Sequence, residues 1–341
     1  MTLIIFILIL GAIIFIHELG HFIFAKKNHI YVYEFSIGFG PKLFSFKRKN
    51  DETEYMIKLI PLGGYVAMAG EEPIDDRKVP EDMKLNNKTI WQRFWVMVAG
   101  AMNNFILGIV LLFIMGLIYG TVSTTNVLHN MPKDGSLYLA GARDGDKVVK
   151  INNNKIKNYD DIQTYLALVK PGKAIDITIK DKNNKLNTYN IKPKKEKDTY
   201  LYGISIKVKQ EKGFVSALKY AKDKFISIYK SMIIVLKSLF TGKLGLKSLS
   251  GPVGIYTVVD SVKDSFQMIL YLTAYLSINI GFMNLLPFPA FDGGRVLFLI
   301  IEKIKGSKIN EKVEYTINMI GFALLMLLMI VITIKDILNL F

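Results

Sequence analysis

The chain has 341 residues, of which 51% are hydrophobic, a formal net charge of +15 and no cysteine. The missing thiols exclude disulfides, thiolate nucleophiles and cysteine-based metal sites. The apolar residues gather in long runs, as in a chain that crosses a membrane several times, and no nucleic-acid motif accompanies the lysines, so the basic excess is read as loops facing anionic lipid and not as nucleic-acid binding.

Residues 3–25 are the first predicted crossing, close to the roughly 20 residues a bilayer requires. The run lacks a basic leader and a small-residue cleavage site, so it is expected to remain as a helix. Lys26 and Lys27 follow it and no basic residue precedes it, which places the N-terminus outside and Lys26 in the cytoplasm. Residues 28–95 mix polar and apolar positions. "EFSIGFGPKLFSF" and "YMIKLIPLGGYVAMAG" read as strands, with Gly63-Gly64 as a turn or hairpin bend, and residues 71–89 as an exposed charged loop. Residues 96–120 form the second crossing, running outwards, with Trp91, Arg93 and Trp95 as its interfacial anchor.

Residues 121–210 change character. They are polar and lysine-rich, "KAIDITIK" alternates Ile175, Ile177 and Ile179 onto one face, and "NYDDIQTYLALV" is an amphipathic helix. A small compact domain outside the membrane is expected. Residues 211–250 hold a segment, 214–240, with apolar residues at helical spacing and lysines between them. It is expected to lie in the membrane interface, the alternative being a helix docked on the domain. The third crossing is 266–286, followed by Lys303, Lys305, Lys308 and Lys312, and the fourth is 314–334. Both termini are then outside.

Within the first crossing stands "HELGH". His17 and His21 are four apart and share a helix face, and Glu18 lies one step round. H-E-x-x-H is the pattern of zinc proteases, two imidazoles on one ion with the glutamate as general base. Histidines in a crossing also serve as helix–helix contacts or proton paths. A catalytic zinc has three protein ligands and an open position. The remaining histidines, His29 and His129, are read as surface residues. Asp292 is the candidate third ligand: it follows "LLPFPAF" at the cytoplasmic end of the third crossing, at the depth of His17 and His21. Pro287 and Pro289 break the helix there and Gly293-Gly294 permit close backbone approach. The competing role for Asp292 is a salt bridge to Arg295.

Glu18 would move the proton from water to the leaving amine. Asn284 is either a donor to the oxyanion or a cap on the broken helix. A helical substrate must unwind before water can attack, and segment 55–69, with Gly63, Gly64 and Tyr65, could hold the unwound chain by edge pairing. A metal carrier would use similar residues, but only one such cluster is present.

The chain resembles the bacterial site-2 proteases, intramembrane zinc metalloproteases of the regulator of sigma-E protease type. "HELGH" matches one family motif. "NLLPFPAFDGG", residues 284–294, matches a second, which carries the third-ligand role onto Asp292 and a substrate-handling role onto Asn284. "IPLGGYVAMAGE" resembles the family's membrane-associated β-hairpin, and "GPVGIY" a segment ahead of the third crossing. "AGAMNNFILG", with Asn104, resembles the stretch of the second crossing, where many members have Gly-Pro and this chain has Gly100-Ala101.

The resemblance implies a polytopic α-helical membrane protein with four transmembrane helices, a membrane-associated β-hairpin region and one inserted PDZ-like α+β domain. Its parts are a membrane core in 1–120, the PDZ-like domain in 121–210 outside the cytoplasm, the interfacial helix in 211–250, and a second membrane core in 251–341. It also implies Zn2+ as cofactor, a bacterial plasma membrane location, and substrates that are single-span membrane proteins already trimmed by another protease, such as anti-sigma factors or signal-peptide remnants.

Overall fold

The computed structural model describes residues 1–71, 78–196, 199–245 and 249–338. Part of the expected charged loop, residues 72–77, lies outside the described residues. The chain forms two compact units, Met1–Leu112 with Leu246–Phe341, and Phe113–Gly245.

The first unit begins with α1 (Thr2–Lys27), almost wholly apolar and closed by Lys26 and Lys27 at its C-terminal end, where cations favour the helix dipole. Two long strands follow, β1 (Val32–Lys47) and β2 (Glu54–Met68). Their turn lies between Lys47 and Glu54, and Lys26 anchors it, donating to Asp51 (2.8 Å) and Glu52 (2.5 Å). The register is doubled. Phe35 lies opposite Val66 and also opposite Tyr55, while Phe46 lies opposite Tyr55 too. Both strands therefore fold back within themselves, β1 near Gly38 and Gly40, β2 between Ile60 and Gly64. Gly63-Gly64 is accordingly a bend inside a strand, not the turn of the β1–β2 hairpin. The sheet packs on α1 through Phe15, Phe22, Phe35 and Tyr55.

Next comes α2 (Ile90–Tyr119), whose last residues belong to the second unit. The second unit continues with β3 (Thr121–Leu128), α3 (Ser136–Leu139), β4 (Lys147–Ile151), β5 (Asn154–Lys155), α4 (Tyr159–Ala167), β6 (Ile175–Lys180), β7 (Leu186–Ile191), β8 (Lys194–Glu196), β9 (Thr199–Leu201) and β10 (Ile206–Glu211). The main sheet has the order β10-β3-β4-β6-β7, with β5 paired to β4. Ile175, Ile177 and Ile179 point into a core shared with Leu128, Leu137, Ile151 and Ile162, as their alternation requires. The segment expected in the membrane interface is α5 (Phe214–Phe240). It clusters with this unit and docks on α4, where Lys224 meets Asp160 (2.8 Å), Lys230 meets Asp161 (2.6 Å) and Thr164 meets Ser231 (2.8 Å). Its opposite side exposes Val215, Leu218, Ile226 and Ile233.

The first unit is completed by α6 (Pro252–Val262), α7 (Phe266–Asn284), α8 (Asp292–Lys305) and α9 (Glu311–Leu338). The helices α6 and α8 were not anticipated from sequence, because each is short and bounded by glycine and proline. Asp336 of α9 accepts from the backbone N–H groups of Gly251 (2.7 Å) and Gly254 (2.9 Å), holding the start of α6. Among the described residues four helices, α1, α2, α7 and α9, are long and apolar enough to cross a membrane. They pack through small residues: a Cβ on Gly20 would lie 2.4 Å from the Ala99 carbonyl oxygen, and one on Gly281 3.0 Å from that of Ala101. Lipid offers helices no hydrophobic gain on meeting, so close backbone approach supplies the contact.

Candidate metal centre

Four residues apart on α1, His17 and His21 face α2. Both are buried, at 9% and 7% exposure, and their rings meet edge to face at 4.8 Å. Their Nε2 atoms are 3.2 Å apart. Gly100 of α2 lies directly against them: a Cβ there would sit 2.3 Å from His21 Nε2 and 2.7 Å from His17 Cε1. The residue at 100 must lack a side chain for the two imidazoles to occupy this space. His21 Nδ1 lies 2.8 Å from the Val96 carbonyl oxygen. A carbonyl only accepts, so Nδ1 carries the ring proton and Nε2 presents a lone pair. His17 Nδ1 lies 3.2 Å from the amide of Asn104.

The third group arrives from α8. Asp292 is its first residue, and its Oδ2 is 3.3 Å from Nε2 of both histidines. That oxygen is buried and has no hydrogen-bond partner. A carboxylate oxygen aimed at two imidazole nitrogens, without hydrogen-bond geometry to either, is what a shared cation would satisfy. His17, His21 and Asp292 are the one group of three potential ligands found among the described residues, their ligand atoms all within 4.8 Å of one another. Two imidazoles and a carboxylate make a donor set suited to zinc.

The connection between α7 and α8 makes this possible. Pro287 and Pro289 prevent the helix from continuing. The chain then turns back tightly, with Ala290 at φ 77°. A Cβ on Gly293 would lie 2.3 Å from the Leu285 carbonyl oxygen, and one on Gly294 2.4 Å from that of Phe288. The start of α8 thus nests in the connection that precedes it. Arg295 does not pair with Asp292, the competing role read from sequence. Its guanidinium bonds Glu71, just past β2, leaving Asp292 to the histidines. A second pair, this one buried, joins Arg93 to Glu302 at 2.6 Å and ties α2 to α8. A cavity of about 230 Å³ runs past these groups, lined among others by Glu71, Arg93, Arg295, Glu302, Glu314 and Asn318.

Glu18 is half-buried beside the pair. The bend of β2 lies over it: a Cβ on Gly64 would be 3.0 Å from Glu18 Cγ. Tyr65 is engaged within the sheet, its hydroxyl donating to Glu34 and accepting from Lys58. Asn284 is the last residue of α7, at the far side of the connection from Asp292. His29 and His129 are exposed and stand outside the cluster. Sequence reasoning missed the packing of Gly100 and the pairing of Glu71, which are visible only once the helices are placed.

The family model for peptidase family M50 matches residues 5–328. The chain belongs to peptidase family M50. The regulator of sigma-W protease RasP of Bacillus subtilis is 34% identical over 423 aligned positions, covering 100% of this chain and 99% of that protein. The zinc metalloprotease RasP of Bacillus licheniformis is 34% identical over 422 positions, with the same coverage. The zinc metalloprotease RasP of Geobacillus kaustophilus is 32% identical over 414 positions, covering 98% of this chain and 97% of its own length. The enzyme class is therefore that of a zinc metalloprotease, and with its four apolar helices the chain is a multi-pass membrane protein.

Proposed function

We propose that the chain is an intramembrane endopeptidase that cuts the transmembrane segments of single-span membrane proteins, with His17, His21 and Asp292 holding zinc and Glu18 as general base. The observation that carries the reading is the convergence of two Nε2 atoms and one unpartnered carboxylate oxygen beside a glutamate, inside a bundle of apolar helices. Zinc bound there would act as a Lewis acid and make water nucleophilic at neutral pH.

The protein's own groups do the rest. Glu18 takes a proton from the attacking water and passes it to the leaving amine nitrogen. Gly100 leaves room for the imidazoles, and the α7–α8 connection presents Asp292 to them. The polar cavity beside Arg295 offers room for water within a protein enclosure, as non-helical backbone at membrane depth needs. Asn284 is assigned to substrate or oxyanion support, and Pro287, Pro289, Gly293 and Gly294 to the shape of the connection.

Residues 64–68 of β2 pair with β1 along one side, and the bend at Gly63-Gly64 lies on Glu18. A substrate unwound into an extended strand, added along the other side, would be delivered to that carboxylate. Replacing Gly63 and Gly64 with proline should impair cleavage while zinc stays bound, and unchanged cleavage would remove the clamp from the mechanism.

The basic residues Lys26, Lys27, Lys303 and Lys305 close α1 and α8, which supports a site near the cytoplasmic side with both termini outside. Unit two, with its small sheet and α4, is assigned as an extracytoplasmic PDZ-like domain, and the exposed apolar side of α5, with its lysines, as a contact with anionic lipid. The name of the Bacillus subtilis relative, a regulator of sigma-W protease, supports anti-sigma factors as one substrate class, reached after trimming by another protease.

The test is metal analysis of the purified chain beside cleavage of a detergent-solubilised single-span substrate. Wild type should carry one zinc and cleave, and chelator should stop it. Glu18→Gln should keep zinc and lose cleavage. Cleavage that survives in Glu18→Gln would end the assignment of the general base.

A further inference from the structure

Asn104 is a polar side chain with 0% exposure in the middle of an apolar helix. Its turn of α2 is fixed, since Ser277 Oγ of α7 donates to its backbone oxygen at 2.8 Å. Its amide nitrogen stands 3.2 Å from His17 Nδ1, and its Oδ1 is buried with no hydrogen-bond partner. The far side of the amide is therefore anchored to nothing.

The two imidazoles are thus supported differently. His21 leans on the backbone carbonyl of Val96, 2.8 Å from Nδ1, which sends its lone pair to Nε2 whatever the residue at 96. His17 leans on a side chain that can present either a donor or an acceptor. With the amide nitrogen towards it, Nδ1 must supply the lone pair, and the ring proton then sits on Nε2, facing Asp292 and His21. In that state His17 cannot ligate through Nε2. A half-turn of the amide brings Oδ1 to the ring at the same separation, because carboxamide oxygen and nitrogen have nearly the same shape. The half-turn exchanges an unpartnered oxygen for an unpartnered NH2 on the far side, so the ring decides the orientation.

We infer that Asn104 is a positioning residue for the metal: its Oδ1 accepts the hydrogen bond of His17 Nδ1–H, fixing the tautomer whose Nε2 lone pair faces His21 and Asp292. It is the side-chain counterpart of the Val96 carbonyl. Such outer partners commonly change metal affinity by about 10–100-fold. The inference rests on the reading that His17, His21 and Asp292 hold zinc.

The test uses the purified full chain in detergent and measures zinc affinity by competition with a chromophoric chelator, together with the absorption spectrum of the Co2+-loaded protein. Asn104→Leu, which removes both donor and acceptor, should weaken zinc by about 10–100-fold and alter the Co2+ spectrum. Asn104→Asp, which can only accept when ionised, should stay within a few-fold of wild type. Loss of affinity in Asn104→Asp equal to that in Asn104→Leu would mean the amide acts as a donor, and overturns the inference. So would wild-type affinity in Asn104→Leu. A purely structural role predicts a lower unfolding temperature of the chelator-stripped protein with zinc affinity intact, which also overturns it. Should Asn104→Leu fail to fold, Asn104→Ala takes its place, and the aspartate result remains decisive between donor and acceptor. Wild-type protein that binds no zinc would overturn the metal assignment itself, a result distinct from all of these.

Discussion

Around His17 and His21 the helices meet through absent side chains, whereas in the inserted unit the strands meet through large ones. Gly20 and Gly100 let α1 and α2 approach until a Cβ at either would lie under 3 Å from its neighbour. In the second unit Ile151, Ile162, Ile175, Ile177 and Ile179 fill the interior at 2% exposure or less. The contrast follows from solvent. Burial from water rewards each methylene, by roughly 0.8 kcal/mol. Between helices in lipid that reward is missing, and close backbone contact with a few buried polar bonds must replace it. Mutations should therefore fail in opposite senses, the first region on adding atoms and the second on losing them.

The largest effect is expected from one added methyl. Gly100→Ala would place Cβ among both imidazoles, 2.3 Å from His21 Nε2, so the rings must be displaced or α2 must draw back and give up the close packing of Gly20 on Ala99. Zinc affinity should fall by at least about 100-fold, beyond the usual range for changes outside the ligands, and cleavage should be lost with it. Equilibrium dialysis against a zinc buffer checks this, and an alanine variant with normal zinc content would refute the steric account. Next in size is Arg93→Met. It strands Glu302, which is 5% exposed and accepts from Arg93 (2.6 Å) and from the Ile309 N–H (3.0 Å). The single change should cost about 3–5 kcal/mol, and adding Glu302→Leu should recover most of it, since it is the stranded charge that is expensive. Denaturation in detergent distinguishes the two. Equal losses in the single and double variants would mean that the packing matters and the charge does not.

Much of this was legible because short-range patterns carried it. His17 and His21 share a face by helix period alone, and Ile175, Ile177 and Ile179 share one by strand period. Asp292 could be placed because α7 must end at Pro287. What stayed hidden depends on distant parts meeting. Glu71 and Arg295 are 224 positions apart, and their pairing is what leaves Asp292 free for the histidines. The helix α8 was hidden because its first residues nest in the connection before it, through two glycines that read locally as a loop. The doubled register of β1 and β2 was hidden because a bend at Gly63 and the turn of a hairpin look alike in sequence. The docking of α5 on α4 stood in the sequence only as the alternative to an interfacial helix, because an amphipathic helix signals that one face is covered, not what covers it.

The inserted unit should answer to removal. Ile177→Ala deletes part of a side chain with 0% exposure at the centre of its core, and should cost about 2–5 kcal/mol. Protease resistance of residues 121–211 should drop while zinc affinity stays within error, and a matching loss of zinc would show that the two regions are not separable in the way proposed. The smallest effect tests the same separation at a helix end. Asn158 caps α4, accepting from the Asp161 N–H at 3.0 Å, and Asp161 in turn accepts from the Lys157 N–H at 2.8 Å and pairs with Lys230 of α5. Asn158→Ala leaves one N–H of the first turn without its partner and should cost about 1 kcal/mol, whereas Asn158→Asp, a cap of similar quality, should cost little. Hydrogen exchange resolves a change of that size: the first turn of α4 should open faster in the alanine variant, with the α5 face that bears Lys230 following it. The protection of α1 around His17 should not move. Faster exchange there would mean that the stability of the metal-bearing helix draws on the cap of α4, and the division between a region built on absent atoms and one built on present ones would have to be given up.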